Sequence, residues 1–117
     1  MTARKLPIRE KTIENSILSW LKLRGFNVWK NPTVGIYDKQ LGTYRRDNSI
    51  HRAIGAPDII GVLPDGIFLG IEVKSETGRL SEHQKKFLGD IRFSNGIAFV
   101  ARSIEDVELE LKQLGYI

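Results

Sequence analysis

Three residues in the middle of this 117-residue sequence, Asp58, Glu72 and Lys74, have the types and spacing to act together on an anionic substrate. The reason is strand register. Asp58 to Leu63 and Ile67 to Lys74 are two strongly apolar runs separated by Pro64, Asp65 and Gly66, a triplet that fits a type I turn closed by a left-handed glycine. With that triplet as the loop, Leu63 faces Ile67, and counting outward sets Asp58 opposite Glu72, with β-carbons ~5 Å apart. Two carboxylates that close repel in a poorly solvated cleft, which raises the pKa of one of them unless a cation sits between them. A divalent metal ion resolves the conflict. Side chains alternate across a strand, so Ile67, Leu69, Ile71 and Val73 face one side while Glu72 and Lys74, ~6.6 Å apart, face the other. A lysine at that place pairs with Glu72, orients a water, or neutralises charge on a phosphate as it becomes pentacoordinate.

The element preceding this hairpin supplies a further acid. From Pro7 to Arg24, Ile13, Ile17, Leu18, Trp20 and Leu21 recur at helical spacing, with Pro7 suited to the first turn and Gly25 to the C-terminal cap. At ~100° per residue Glu14 falls beside Leu21, inside the apolar stripe, and an inward carboxylate needs a partner. Glu10 lies on the same side one turn earlier, where the helix N-terminus favours an acid by itself. Glu14 is therefore the site candidate and Glu10 a helix-terminal charge.

The remaining elements frame these residues. Phe26 to Lys30 alternates as a short strand ended by Asn31 and Pro32. Residues 33–56 are polar and basic; Val34 to Tyr37 and Thr43 to Arg46 have the pattern to pair around a turn at Asp38 to Gly42, as a mobile hairpin or loop. Ser81 and Gln84 form a capping-box pattern ahead of a helix carrying Phe87, Leu88 and Ile91. Gly96, the apolar strand Ile97 to Ala101, and a last helix from Ile104 to Leu114 with Val107 and Leu111 on one face complete the chain. The expected order is helix, strand, hairpin, helix, strand, helix.

Composition bounds the chemistry. Hydrophobic residues are 41% and charged residues 27%, with only 4 Pro, as in an ordered globular chain. One domain over 1–117 is the expectation, with a basic loop or hairpin insert at about 33–54. Without cysteine there is no disulfide framework, thiolate zinc site or cysteine nucleophile, so any metal is held by oxygen or imidazole. His51 and His83 are each isolated and read as surface residues, and no apolar run approaches the ~18 residues of a membrane span. The basic opening lacks an apolar leader core, and a cytoplasmic protein is expected. The formal net charge is +4 and the pI near 9.5, which suits a polyanionic partner without requiring one. Lys39, Tyr44, Arg45, Arg46, His51 and Arg52 combine cations with an aromatic in one segment, a pattern suited to phosphate and base or sugar contacts. Trp20, in the helix stripe, and Trp29 read as structural.

Taken in order and spacing, Glu14 followed eleven residues later by Gly25-Phe26, then Gly55-Ala56-Pro57-Asp58, Ile71-Glu72-Val73-Lys74 and Gly78-Arg79-Leu80-Ser81-Glu82-His83-Gln84, the sequence resembles the PD-(D/E)XK nucleases. Within them it is similar to the virus-type replication-repair nuclease (VRR-NUC) domains related to archaeal Holliday-junction resolvases, over most of the chain. The resemblance implies an α/β restriction-endonuclease-like fold, a central mixed sheet flanked by helices. It implies that Asp58, Glu72, the carbonyl of Val73 and Glu14 bind Mg²⁺ or Mn²⁺, ions that favour hard oxygen ligands. It further implies that Lys74 positions or activates the attacking water and that Gln84 holds that water or the scissile phosphate, a role compatible with the capping box. The implied activity is a metal-dependent endonuclease acting on branched, flapped or four-way DNA, as a homodimer and with no small-molecule cofactor. Three alternatives stay open on the residues alone: a catalytically silent nucleic-acid-binding module on the same fold, a small structural or assembly protein that is basic only for solubility, and RNA in place of DNA. The basic insert at 33–54 departs from resolvase-like relatives.

Overall fold

The computed structural model describes residues 8–32, 36–45 and 49–117. Pro7, the N-terminal cations Arg4 and Lys5, Val34, and Arg46 of the proposed basic contact set lie outside the described residues.

Helix α1 spans Glu10–Leu23 and buries Glu14, Ile17, Leu18 and Leu21. It closes with two hydrogen bonds running back over the last turn, Gly25 N–H to Lys22 O at 3.0 Å and Phe26 N–H to Leu21 O at 3.0 Å, the glycine-ended pattern that satisfies orphan carbonyls. The chain turns straight into β1 (Asn27–Lys30). A short antiparallel hairpin follows, β2 (Ile36–Asp38) with β3 (Thr43–Arg45), in which Asp38 faces Thr43. The pairing expected in the basic segment thus forms.

Strands β4 (Ile59–Val62) and β5 (Phe68–Val73) pair antiparallel with Ile59 opposite Ile71 and Val62 opposite Phe68. This is the register that puts Asp58 across from Glu72. Gly66 supplies the left-handed turn residue, φ +84°. Leu63 N–H bonds Ile67 O at 2.9 Å, closing the loop. Helix α2 (Glu82–Phe93) then returns the chain so that β6 (Ile97–Ala101) lies parallel to β5, and α3 (Ile104–Gln113) follows. A parallel neighbour requires such a crossover. The main sheet runs β1-β4-β5-β6, mixed in direction.

Alternation divides the core. Ile59, Leu69, Ile71, Val73, Phe99 and Ala101 pack with Ile17, Leu21, Val107 and Leu111 of α1 and α3, while Leu88 and Ile91 of α2 cover Ala98 on the opposite face. Burial of this apolar area is the main source of stability. Helix α2 packs on β5 and β6. Trp29, on the edge strand β1, therefore stands 43% exposed instead of filling core as expected, because Val28 is the buried residue of that strand and Trp29 points to the opposite face. Trp20 is partly buried against the main core, with the Arg24 guanidinium 4.5 Å above its ring. No helix among the described residues is long and apolar enough to cross a membrane.

One backbone contact ties the approach to β4 onto the start of α2. At Gly55, φ is +81° and an added Cβ would lie 2.4 Å from His83 O and 2.9 Å from Gln84 N. Gly55→Ala combines a left-handed penalty with a backbone collision, and is expected to cost ~3 kcal/mol or more. Chemical denaturation checks this; an unchanged midpoint would show that the segment does not seat on α2.

Candidate functional site

The site forms where the start of β4 meets the end of β5, with α1 on one side and the first turn of α2 on the other. Asp58 is held from two directions. Its backbone carbonyl accepts the Asn31 N–H at 2.8 Å, and its side-chain Oδ2 accepts the Val73 N–H at 2.9 Å. Charge, strand end and neighbour are thus locked together.

Glu72 is 2% exposed. Its Oε1 accepts the Gln84 Nε2–H at 2.9 Å and lies 3.7 Å from Lys74 Nζ. Its Oε2 is buried and accepts no hydrogen bond. A buried carboxylate oxygen left without a donor is costly. Burial accordingly pushes the Glu72 carboxyl up to about 8, reinforced by the charge of Asp58 and by a hydrogen bond to Asp58 that only a protonated Glu72 can supply; Lys74 pulls the other way. Glu10, in the first turn of α1, adds a small push in the same direction.

Glu14 is buried at 8% exposure, with Lys30 Nζ 3.9 Å from its carboxylate. Its carboxyl is raised by burial, opposed by Lys30, and raised again by Asp58, so the two acids sense each other's charge. Yet among the described residues no three acidic or imidazole side chains converge as a ready-made metal cage. Instead Glu14 lies by Lys30, Asp58 accepts from the Val73 amide, and Glu72 lies by Gln84 and Lys74. The donor chemistry still fits a hard divalent cation. The ligands are oxygens, two adjacent carboxylates repel, and one buried oxygen accepts no hydrogen bond.

Gln84 performs two tasks at once. Its side chain accepts the Ser81 N–H at 2.9 Å, its N–H bonds Ser81 Oγ at 3.2 Å, and its amide nitrogen donates to Glu72. The capping box expected from sequence thus aims an amide at the acids. Lys30, beside Glu14, is not among the site residues expected from sequence; alternation puts it on the same face as Val28, and the assembled sheet puts α1 over that face.

Tyr44 meets Tyr37 edge-on at 5.3 Å between ring centres, and both are exposed on the hairpin. Arg45 lies 3.4 Å from Asp38, whose other oxygen ties down the turn by accepting the Gln40 N–H. Lys39 occupies that turn. Arg52, in the loop leading to β4, donates to Ser49 O at 3.2 Å.

Comparison with known proteins gives three findings. The family model described as the VRR-NUC domain matches residues 8–105. A solved structure titled "VRR_NUC domain protein" is similar in fold, with a TM-score of 0.66 at 20% identity over 96% of this chain and 90% of that one. No curated protein gives a significant match.

Proposed function

The chain belongs to the VRR-NUC domain family, which implies a nuclease-type activity on DNA, and from that premise we propose that it is an Mg²⁺- or Mn²⁺-dependent endonuclease of branched, flapped or four-way DNA. The observation that carries this reading is Glu72, a buried carboxylate beside a second acid, with one oxygen that accepts no hydrogen bond. Such an arrangement raises the free energy of the free protein and falls in cost when a cation arrives.

Asp58, Glu72, the Val73 carbonyl and Glu14 would hold the ion. When bound, it lowers the pKa of water and offsets charge on the phosphate. Lys74, only 12% exposed along its side chain, is confined beside Glu72, where its ammonium orients the attacking water and meets charge growing on the phosphate oxygens. The water oxygen joins phosphorus, the bond to the leaving sugar oxygen breaks, and a proton passes to that oxygen. The chain needs no covalent intermediate. Gln84 keeps Glu72 Oε1 in place with one N–H and presents the other to the water or phosphate.

Lys39, Tyr44, Arg45, Arg46 and Arg52 supply phosphate and base contacts from the insert at 33–54, which we read as part of one domain over 1–117. A homodimer would place two sites to cut paired strands. The test is incubation of the purified protein with Mn²⁺ or Mg²⁺ and labelled linear, flapped and four-way DNAs. Cleavage stopped by chelation is expected; tight binding of every substrate with none cut would favour the silent module instead.

The capping box and the site can be separated by mutation. Ser81→Ala should cost ~1 kcal/mol of stability with little change in single-turnover rate. Gln84→Ala also removes a hydrogen bond to a charged group and should slow cleavage ~10-fold or more. Equal rates in the two variants would leave Gln84 with the cap alone.

A further inference from the structure

We propose that Arg102 is a positioning residue for Lys74, acting through the turn that follows β5. This rests on the reading of Lys74 given above. Past Val73 the parallel ladder runs one residue further, Lys74 N–H to Ala101 O at 3.1 Å, and then the chain leaves the sheet. The turn at 75–78 has little to hold itself: the Gly78 N–H reaches Ser75 Oγ at 3.1 Å and Ser75 O at 3.2 Å. Three of its carbonyls converge on one guanidinium nitrogen, Nη1 of Arg102. Ser75 O accepts a short bond, Gly78 O accepts at 2.7 Å, and Glu76 O stands at 3.4 Å. Two N–H groups serve the nearer pair, and the positive charge attracts the third dipole.

The clamp is anchored behind. Arg102 follows Ala101 directly, and its own N–H is fixed by Asp106 Oδ2 at 2.8 Å in the first turn of α3, which Ser103 caps. It also reaches forward. An added Cβ on Gly78 would stand 3.4 Å from Lys74 Cδ, so the turn's backbone runs beside the lysine stem. When the turn loosens, the stem gains rotamers, and the ammonium spends less time beside Glu72. Misplacement on the order of 1 Å costs up to ~100-fold in rate. A lysine at 102 keeps the charge but not the planar fork.

The test compares wild type with Arg102→Ala and Arg102→Lys. Three readouts are used: amide exchange across 75–80, trace acetylation of Lys74 by acetic anhydride against exposed Lys85 and Lys86, and single-turnover cleavage beside DNA affinity measured in EDTA. In Arg102→Ala, exchange at Gly78 and acetylation of Lys74 should each rise ~10-fold, and the rate should fall ~10-fold or more while affinity stays within ~2-fold. Arg102→Lys should recover part of each, and it carries the test should the alanine variant fail to fold. Faster exchange with unchanged Lys74 acetylation would overturn the proposal. So would unchanged exchange, or a loss of affinity matching the loss of rate. Were wild type to cut no DNA, the nuclease reading would fail, and the acetylation ratio would still decide the clamp.

Discussion

Glu72→Gln is expected to stabilise the metal-free protein at alkaline pH and to abolish cleavage. The Glu72 carboxyl holds its proton up to about 8 in the folded state against 4.5 for the ordinary group. The folded form therefore binds the extra proton, so its stability contribution is complete below 4.5 and is lost as pH rises through 8. Glu14, raised in the same direction, adds to the trend. The loss on ionising Glu72 should reach ~5 kcal/mol. Glutamine is isosteric and uncharged: its carbonyl can still accept from Gln84, while its amide offers Asp58 the donor that an ionised Glu72 lacks. At pH ~8.5 the variant should melt ~15 °C above wild type, with the gap closing toward pH ~5. Cleavage should fall ~1,000-fold or more, since the site loses a charge that holds the ion. Parallel melting temperatures across that range would show that Glu72 ionises freely.

Lys74→Met separates catalysis from binding. Methionine keeps a stem of similar length beside the turn at 75–78 and deletes the ammonium 3.7 Å from Glu72. The side chain is nearly buried, so one charge of contact with DNA is a small part of the whole interface. Removing a group that acts on charge growing in the transition state costs ~100- to ~1,000-fold in rate. Single-turnover cleavage should fall by that factor, and affinity in EDTA by less than ~3-fold. A variant that cuts at the wild-type rate would remove Lys74 from the chemistry. One that no longer binds would make it a contact residue.

Much of this site was legible because short-range rules set it. Turn chemistry at Pro64 to Gly66 determines the β4–β5 register, and the register alone puts Asp58 across from Glu72. Glu14 betrayed itself as an acid within an apolar helical stripe, and its burial follows. The Ser81–Gln84 box has a local signature and forms as read. What escaped were the long-range choices. Periodicity along β1 does not tell which helix covers which strand, so the exposure of Trp29 and the pairing of Lys30 with Glu14 depend on packing that only the assembled sheet decides. Arg102 touches a turn 24 to 27 residues earlier in sequence, and nothing near it in the chain announces that contact. The three acids also do not close into a cage by themselves: Glu14 pairs with Lys30, Asp58 with the Val73 amide, and Glu72 with Gln84 and Lys74.

Calorimetric titration with Mn²⁺ at pH ~7, repeated in two buffers of different ionisation enthalpy, tests the central claim that this acidic pair is built for a divalent ion. At that pH Glu72 is still largely protonated, so the ion must displace its proton on binding. One site should appear, releasing close to one proton per ion; Asp58→Ala should abolish the heat, and Glu72→Gln should abolish the proton release with most of the affinity. Binding of Mn²⁺ with no proton released, or undiminished in Asp58→Ala, would contradict the account.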